Sequence, residues 1–88
     1  MANHKSALKK SRQDRDRRLR NRGHRSRLRG ALKRLRSTLA AGDLETARGL
    51  LPATVSLIDR TAAKGVIHDN AAARVKSRLY SALKSLEG

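Results

Sequence analysis

The residues best suited to chemistry in this sequence are the lysines and arginines of its first 36 positions. Between Lys5 and Arg27 only Ala7, Leu8 and Leu19 are apolar. If this stretch is helical, its cations point in every direction round the axis and leave no face for a protein core. Planar guanidinium groups favour bidentate contacts with phosphates, so the expected chemistry is the neutralisation of closely spaced negative charges. The cations concerned are Lys9, Lys10, Arg12, Arg15, Arg17, Arg18, Arg20, Arg22, Arg25, Arg27, Arg29, Lys33, Arg34 and Arg36.

A second, smaller polar group follows at the predicted loop between the second and third helices. A helix that begins near Asp69 would add the partial positive charge of its N-terminus to this group. For Asn70, a role as helix cap alone and a contact with phosphate or ribose are both open. We name this group the junction cluster; it consists of Arg60, Lys64, His68, Asn70 and Arg74.

The charge balance indicates a polyanionic partner. The 88 residues carry a formal net charge of +15, of which residues 1–40 contribute +13 and residues 41–88 only +2. Repulsion on this scale opposes compaction unless phosphates or counterions offset it. Tyr80 is the one aromatic residue, which argues against recognition of single strands by base stacking.

Catalytic and metal chemistry lack suitable residues. His4, His24 and His68 are scattered, no second histidine stands at ligand spacing, and there is no cysteine. A glycine-rich phosphate loop is also missing. We therefore expect no enzyme activity, no catalytic residue, no metal, no cofactor and no small-molecule substrate. No apolar run approaches the ~18 residues of a membrane span or forms a signal peptide, so we expect a cytoplasmic protein without membrane contact.

The basic residues are positioned by a long first helix, predicted from Ser6 to Ala40. Ser6 is the expected N-cap, after an irregular arm over Met1–Lys5. Gly23 and Gly30 each cost this helix about 1 kcal/mol relative to alanine; each is either a tolerated weak point or a place where a phosphate approaches the backbone. Spacings of four, three and four residues place one apolar face in the second half of the helix. This face consists of Leu28, Leu32, Leu35 and Leu39.

The second helix is predicted from Leu44 to about Lys64. Gly42 is the expected left-handed cap before it, and Asp43 its N-cap. Pro52 removes one backbone donor inside the pattern, so we expect a kink or a break there. The core face repeats at three and four residues and consists of Leu44, Ala47, Leu51, Val55, Ile58 and Ala62.

The third helix is predicted from Ala71 to Leu86, after Gly65 as the preceding C-cap. Val66 and Ile67 should tuck into the core, and Asp69 or Asn70 should cap the helix. Its apolar stripe consists of Ala72, Val75, Leu79, Ala82, Leu83 and Leu86.

These segments predict an all-α fold, an antiparallel three-helix bundle. The first helix would exceed its partners in length, so its basic N-terminal half should project beyond the bundle. We expect a single domain over residues 1–88, divided into a basic extension at 1–25 and the bundle at 26–88. Because the apolar face starts only at Leu28, we also expect the extension to be mostly disordered without a polyanion.

Four stretches of the chain resemble the family of the bacterial small-subunit ribosomal protein numbered twenty. They are Met1–Ala7, Arg25–Arg29, Ala41–Asp43 and, above all, Asp59–Leu79, which reads DRxAAKGVIHxNxAARxKSxL. The last block is long and specific, and the resemblance covers essentially the whole chain.

The resemblance implies a structural protein of the small ribosomal subunit that binds small-subunit ribosomal RNA directly during assembly. Its first helix would insert between RNA helices of the 5′ domain and the lower part of the long penultimate stem, with few protein contacts. RNA-binding residues would then be the cations named above, the junction cluster, and Lys76 and Arg78. From the charge alone, an architectural protein that binds duplex DNA is the alternative, since counterion release does not distinguish the two polymers.

Overall fold

The computed structural model describes residues 2–88, with side chains from residue 7 onward. It has three α-helices: α1 (Ala2–Ala40), α2 (Leu44–Ala63) and α3 (Asp69–Glu87). Residues 2–88 contain no strand. Helix α2 packs against both neighbours, whereas α1 and α3 touch each other least. The all-α three-helix fold predicted from the sequence is confirmed.

Helix α1 is longer than predicted. It begins at Ala2, so the irregular arm expected up to Lys5 is wrong over residues 2–5, and the expected Ser6 cap is wrong as well; Met1 lies outside the described residues. The sequence from Ala2 to Ser6 contains neither glycine nor proline that would stop the helix earlier. The helix is also continuous through Gly23.

The turn between α1 and α2 follows the predicted capping. Gly42 has a φ of +73°, and the Asp43 amide donates to the Thr38 carbonyl at 3.1 Å. Glycine adopts a left-handed backbone conformation at little cost, so α1 can end here. The Asp43 carboxylate accepts a hydrogen bond from the Thr46 amide at 3.3 Å, which caps α2 as predicted.

The cap of α3 differs from the prediction. His68, and not Asp69 or Asn70, is the N-cap, because its Nδ1 accepts a hydrogen bond from the Asn70 amide at 3.0 Å. Gly65 turns the chain with a φ of +74°. Val66 is then buried and Ile67 half-buried, as predicted.

Helix α2 runs through Pro52 as one helix, so the expected break is wrong. Pro52 lies on the exposed side of α2, as does Arg48 one turn earlier. Water can therefore take the place of the hydrogen bond that Pro52 cannot donate to the Arg48 carbonyl.

The core contains residues from all three helices. Two buried threonines belong to it although the apolar pattern omitted them: Thr54 donates to the Leu50 carbonyl at 2.8 Å and Thr61 to the Leu57 carbonyl at 2.6 Å. These bonds satisfy the hydroxyl groups within the helix. The main cluster consists of Leu28, Leu35, Ala47, Ile58, Ala72 and Leu79.

The C-terminal part of the predicted α3 stripe is not buried. Ala82 is exposed and Leu86 is 39% exposed. Because α3 packs mainly on α2 and hardly touches α1, only part of its apolar stripe is covered.

The molecule is elongated, with extents of 67 × 20 × 15 Å and a radius of gyration of 17.8 Å. A compact chain of this length would have a radius of gyration of about 12 Å. The excess length comes from α1, whose residues 7–20 are all exposed. The basic half of α1 therefore projects beyond the bundle, as predicted.

Candidate nucleic-acid interface

The projecting part of α1 presents positive charge on every side. Its large apolar residues, Leu8 and Leu19, are 55% and 60% exposed and take no part in the core. Asp14 and Asp16 are the acidic residues of this part, and both are exposed. A helix with this surface gains little from its own bundle, and its side chains can reach phosphates in several directions at once. The exposed cations over this part are Lys9, Lys10, Arg12, Arg15, Arg17, Arg18 and Arg20.

The cationic surface continues along the rest of α1, into the part that belongs to the bundle. Here Leu28 and Leu35 face inward and are buried, while the basic residues between and around them stay exposed. A shallow groove lies between this surface and Ile67, in the turn before α3. The exposed cations along this part are Arg22, Arg25, Arg27, Arg29, Lys33, Arg34 and Arg36.

The members of the junction cluster are exposed around the connection between α2 and α3. Two of its arginines are held along their own helices: Arg60 Nε donates to the Ser56 carbonyl and Arg74 Nε donates to the Asn70 carbonyl, both at 3.4 Å. These bonds restrict the side chains before any ligand binds. The guanidinium groups are thereby partly ordered at the surface.

His68 has a structural role inside this cluster, as the N-cap of α3. Since its Nδ1 accepts from the Asn70 amide, the proton of the neutral imidazole must sit on Nε2. This nitrogen can donate to a phosphate or a ribose hydroxyl. Asn70 does not cap α3, so the reading of Asn70 as the cap is wrong.

Lys76 and Arg78 lie on α3 and differ in their surroundings. Lys76 Nζ forms an ion pair with Asp59 Oδ1 at 2.7 Å, and this hydrogen bond raises the pKa of Lys76 above its ordinary value of 10.5. Arg78 is exposed, one turn beyond Arg74. The charge of Lys76 is thus already partly offset within the protein, whereas no such pair is formed by Arg78 among the described residues.

The structure joins the two predicted surfaces in one cleft. This junction cleft has a volume of about 490 Å³ and lies between α1 and the turn after α2. The sequence predicts its α1 and α2 sides as separate surfaces, and Asn21 and His24 are not among the predicted binding residues. The lining residues are Arg17, Arg20, Asn21, His24, Lys64 and Gly65.

A signal for the cleft was present in the helical spacing. Asn21 and His24 lie seven and four residues before Leu28, so they continue the face of α1 that is apolar from Leu28 onward. Both are half-buried. The face of α1 that packs on α2 therefore extends to the N-terminal side of Leu28, where its residues are polar instead of apolar.

The histidine of the cleft is electrostatically perturbed. Partial removal from water lowers the pKa of His24 below its ordinary value of 6.5. The positive charges of Lys64, Arg27 and Arg20 lower this pKa further, in that order. Free protein thus holds His24 predominantly neutral at pH 7.

Among the side chains that the structure describes, those of residues 7–88, no three histidine, aspartate or glutamate groups come together as metal ligands would. Within residues 2–88, none of the helices has the length and apolar character needed to cross a bilayer.

The chain is similar to known proteins over nearly its whole length. A sequence model of the family described as ribosomal protein S20 matches residues 2–84. The chain is 45% identical over 86 residues to the small ribosomal subunit protein bS20 of Syntrophobacter fumaroxidans, covering 98% of this chain and 100% of that protein. It is 43% identical over 88 residues to the protein of the same name from Desulfatibacillum aliphaticivorans, with both chains fully covered. It is 43% identical over 86 residues to the small ribosomal subunit protein bS20 of Vibrio cholerae, covering 98% of this chain and 100% of that protein.

Proposed function

The chain belongs to the ribosomal protein S20 family, and from this premise we propose that it binds small-subunit ribosomal RNA directly, through phosphate and shape contacts. Membership makes it a structural protein of the small ribosomal subunit, in the bacterial cytoplasm, and not an enzyme. In the proposed role it helps to assemble RNA helices of the subunit and then holds them at a fixed distance.

The observation that carries this proposal is the all-round exposure of cations on the projecting part of α1. A solvated cationic face on an ordinary surface helix occupies one side only, with an apolar side packed on protein. Here residues 7–20 are exposed on all sides. Insertion between RNA helices would place phosphates around the whole circumference of α1 and remove its self-repulsion.

We propose two sets of RNA-binding residues. The first set lies on α1 and consists of Lys9, Lys10, Arg12, Arg15, Arg17, Arg18, Arg20, Arg22, Arg25, Arg27, Arg29, Lys33, Arg34 and Arg36. The second lies around α2 and α3 and consists of Arg60, Lys64, His68, Asn70, Arg74, Lys76 and Arg78. Within the second set Lys76 should contribute least, because Asp59 already partners it.

The composition supports shape recognition rather than sequence reading. A-form RNA keeps its base edges in a deep major groove, so a cationic helix contacts mainly phosphates and 2′-hydroxyls. Tyr80, the one aromatic residue, is 49% exposed and isolated on α3. The family match gives no support to the alternative role on duplex DNA.

We also propose that RNA is the main partner and that protein contacts are few. The exposed large apolar residues of the described part, Leu8, Leu19, Tyr80 and Leu86, are dispersed along the molecule. Protein interfaces usually need a contiguous apolar core. The same dispersal gives no apolar face for a membrane.

Folding and RNA binding are coupled in this proposal. Residues 26–88 form the unit that folds by itself, since they contain the buried cluster, and residues 1–25 form the extension whose helix is stabilised by RNA. Phosphates would supply the stabilisation that packing supplies elsewhere in the chain.

Chemical footprinting of small-subunit ribosomal RNA with and without the protein tests the function. We expect protection at several separate RNA helices, because α1 is long enough to touch more than one. Competition by duplex DNA at ~0.2 M salt is the matched control, and the DNA should compete poorly. Equal competition by DNA, or an unchanged footprint, would contradict the proposal.

A further inference from the structure

We propose that the junction cleft is a phosphate clamp: the backbone of one RNA strand sits between Arg20, His24 and Lys64, and His24 takes up a proton when the strand binds. This inference rests on the proposed RNA binding and specifies one place where it occurs. The ligand class is a phosphodiester backbone, held at the point where α1 leaves the bundle.

The part of the cleft next to the bundle is anchored by the core. Leu28 is buried one turn after His24, and Val66 is buried two residues after Lys64. His24 and Lys64, which lie close to these buried residues, are therefore held in place before RNA arrives, whereas Arg17 and Arg20 lie in the basic extension and become ordered when the strand binds. Such preorganisation lowers the entropy cost of binding. A volume of about 490 Å³ compares with about 30 Å³ for one water, so a hydrated phosphodiester segment fits.

The charges of the cleft favour an anionic ligand. Its lining contains the cations Arg17, Arg20 and Lys64, and none of the six lining residues is acidic. Asn21 adds an amide donor. These cations repel one another in the free protein, and a strand of phosphates relieves that repulsion.

His24 responds to the same field. The charged groups that face it are Arg20 and Arg27 from α1 and Lys64 from the turn after α2. They and partial burial keep its pKa below 6.5 in the free protein. A bound phosphodiester replaces repulsion by attraction and raises the pKa of His24 in the complex.

The direction of the pH dependence follows from this change. Because the complex binds a proton more tightly than the free protein, RNA affinity rises as pH falls through the interval between the two pKa values of His24. One pKa unit of difference corresponds to about a tenfold change in affinity. We expect a gain of about threefold to tenfold between pH 8 and pH 5.5 that depends on His24.

The first experiment measures affinity of the full chain for a small-subunit RNA fragment at fixed ionic strength, from pH 5.5 to pH 8. His24→Asn should lose the pH-dependent gain. Lys84→Met is the control, since Lys84 is exposed near the C-terminal end of α3 and belongs to neither proposed RNA-binding set, and it should keep the gain. If His24→Asn retains the full pH dependence, the clamp is refuted.

A direct measurement makes the result independent of variant folding. The imidazole resonances of His24 in wild-type protein, followed by NMR against pH, should report a higher pKa in the RNA complex than in free protein. The same pKa in both states would also refute the clamp.

The second experiment compares two lysines at opposite ends of the bundle. Lys64→Met should weaken RNA binding and reduce the salt slope by about one contact, whereas Lys84→Met should leave both unchanged. Equal effects would overturn the clamp while leaving RNA binding itself intact. Absence of binding by wild-type protein would instead refute the proposed function.

Discussion

Lys76 Nζ lies 2.7 Å from Asp59 Oδ1, and this ion pair joins α3 to α2. Both side chains are partly exposed, at 31% and 53%, so a double-mutant cycle with Asp59→Asn and Lys76→Met should show only weak coupling in the free energy of unfolding. The pair raises the pKa of Lys76 above 10.5, so its contribution is complete below pH 10.5 and is lost as pH rises through the folded-state pKa. Denaturant unfolding of the wild-type protein and the variants, at pH 7 and in alkali, measures the coupling and its loss with rising pH. A coupling that grows with pH would contradict this assignment.

The same ion pair predicts a ranking of RNA contacts on α3. Lys76→Met should lower RNA affinity less than Arg78→Met, because the Lys76 charge is already offset by Asp59 while Arg78 is exposed. Binding assays at one salt concentration measure the difference. A larger loss for Lys76→Met would show that RNA displaces Asp59.

Variants of His68, the N-cap of α3, can test its contributions to stability and to RNA binding separately. His68→Ala should destabilise the bundle by about 1 kcal/mol, since the Asn70 amide loses its acceptor. His68→Ser should retain most of that stability, because serine is a good N-cap. RNA affinity should fall for both if Nε2 contacts the RNA. Thermal unfolding and RNA titration of the two variants distinguish these effects. Equal melting temperatures for His68→Ala and His68→Ser would show that His68 does not stabilise α3 as its cap.

Two exposed helical glycines form a matched pair. A Cβ at Gly30 on α1 or at Gly49 on α2 would meet nothing within 4 Å, so Gly30→Ala and Gly49→Ala should each stabilise the protein by about 0.5–1 kcal/mol. RNA affinity should fall only for Gly30→Ala, which adds a methyl group to the proposed RNA surface. Unchanged affinity in both variants would show that no phosphate approaches Gly30 closely.

The exposed arginines of α1 that precede its apolar face should act through charge alone. Arg18→Ala together with Arg22→Ala should lower the salt slope of RNA affinity by about two contacts and leave the unfolding transition of the bundle unchanged. Both residues are exposed. An unaltered salt slope would place these arginines away from RNA.

Amide exchange tests the coupling of order to RNA binding. In the absence of RNA, amides from Arg12 to Arg22 should exchange much faster than those from Leu28 to Leu39, because only the second stretch packs on α2. RNA should slow exchange in the first stretch. Strong protection at Arg12 to Arg22 in free protein would refute the expected disorder of the basic extension.

Local chemistry determined much of the fold from the sequence alone. Helical periodicity is a property of neighbouring residues, so the apolar face from Leu28 to Leu39 and the cap at Asp43 could be predicted without knowing what they pack against. The same reasoning predicted that the basic half of α1 projects, since a helix cationic on all sides has no protein face. Its start at Ala2 could not be predicted, because Ser6 is a residue type that favours the N-cap position and therefore indicated a later start.

Only the tertiary structure decided which distant residues meet. His24 and Lys64 lie 40 positions apart, and the packing of α1 on α2 brings them into one cleft. Packing also decided that Pro52 sits where water can replace its missing donor, and that Thr54 and Thr61 enter the core. The physical reason is that charge and periodicity act along the chain, whereas burial depends on the choice and alignment of the partner helix.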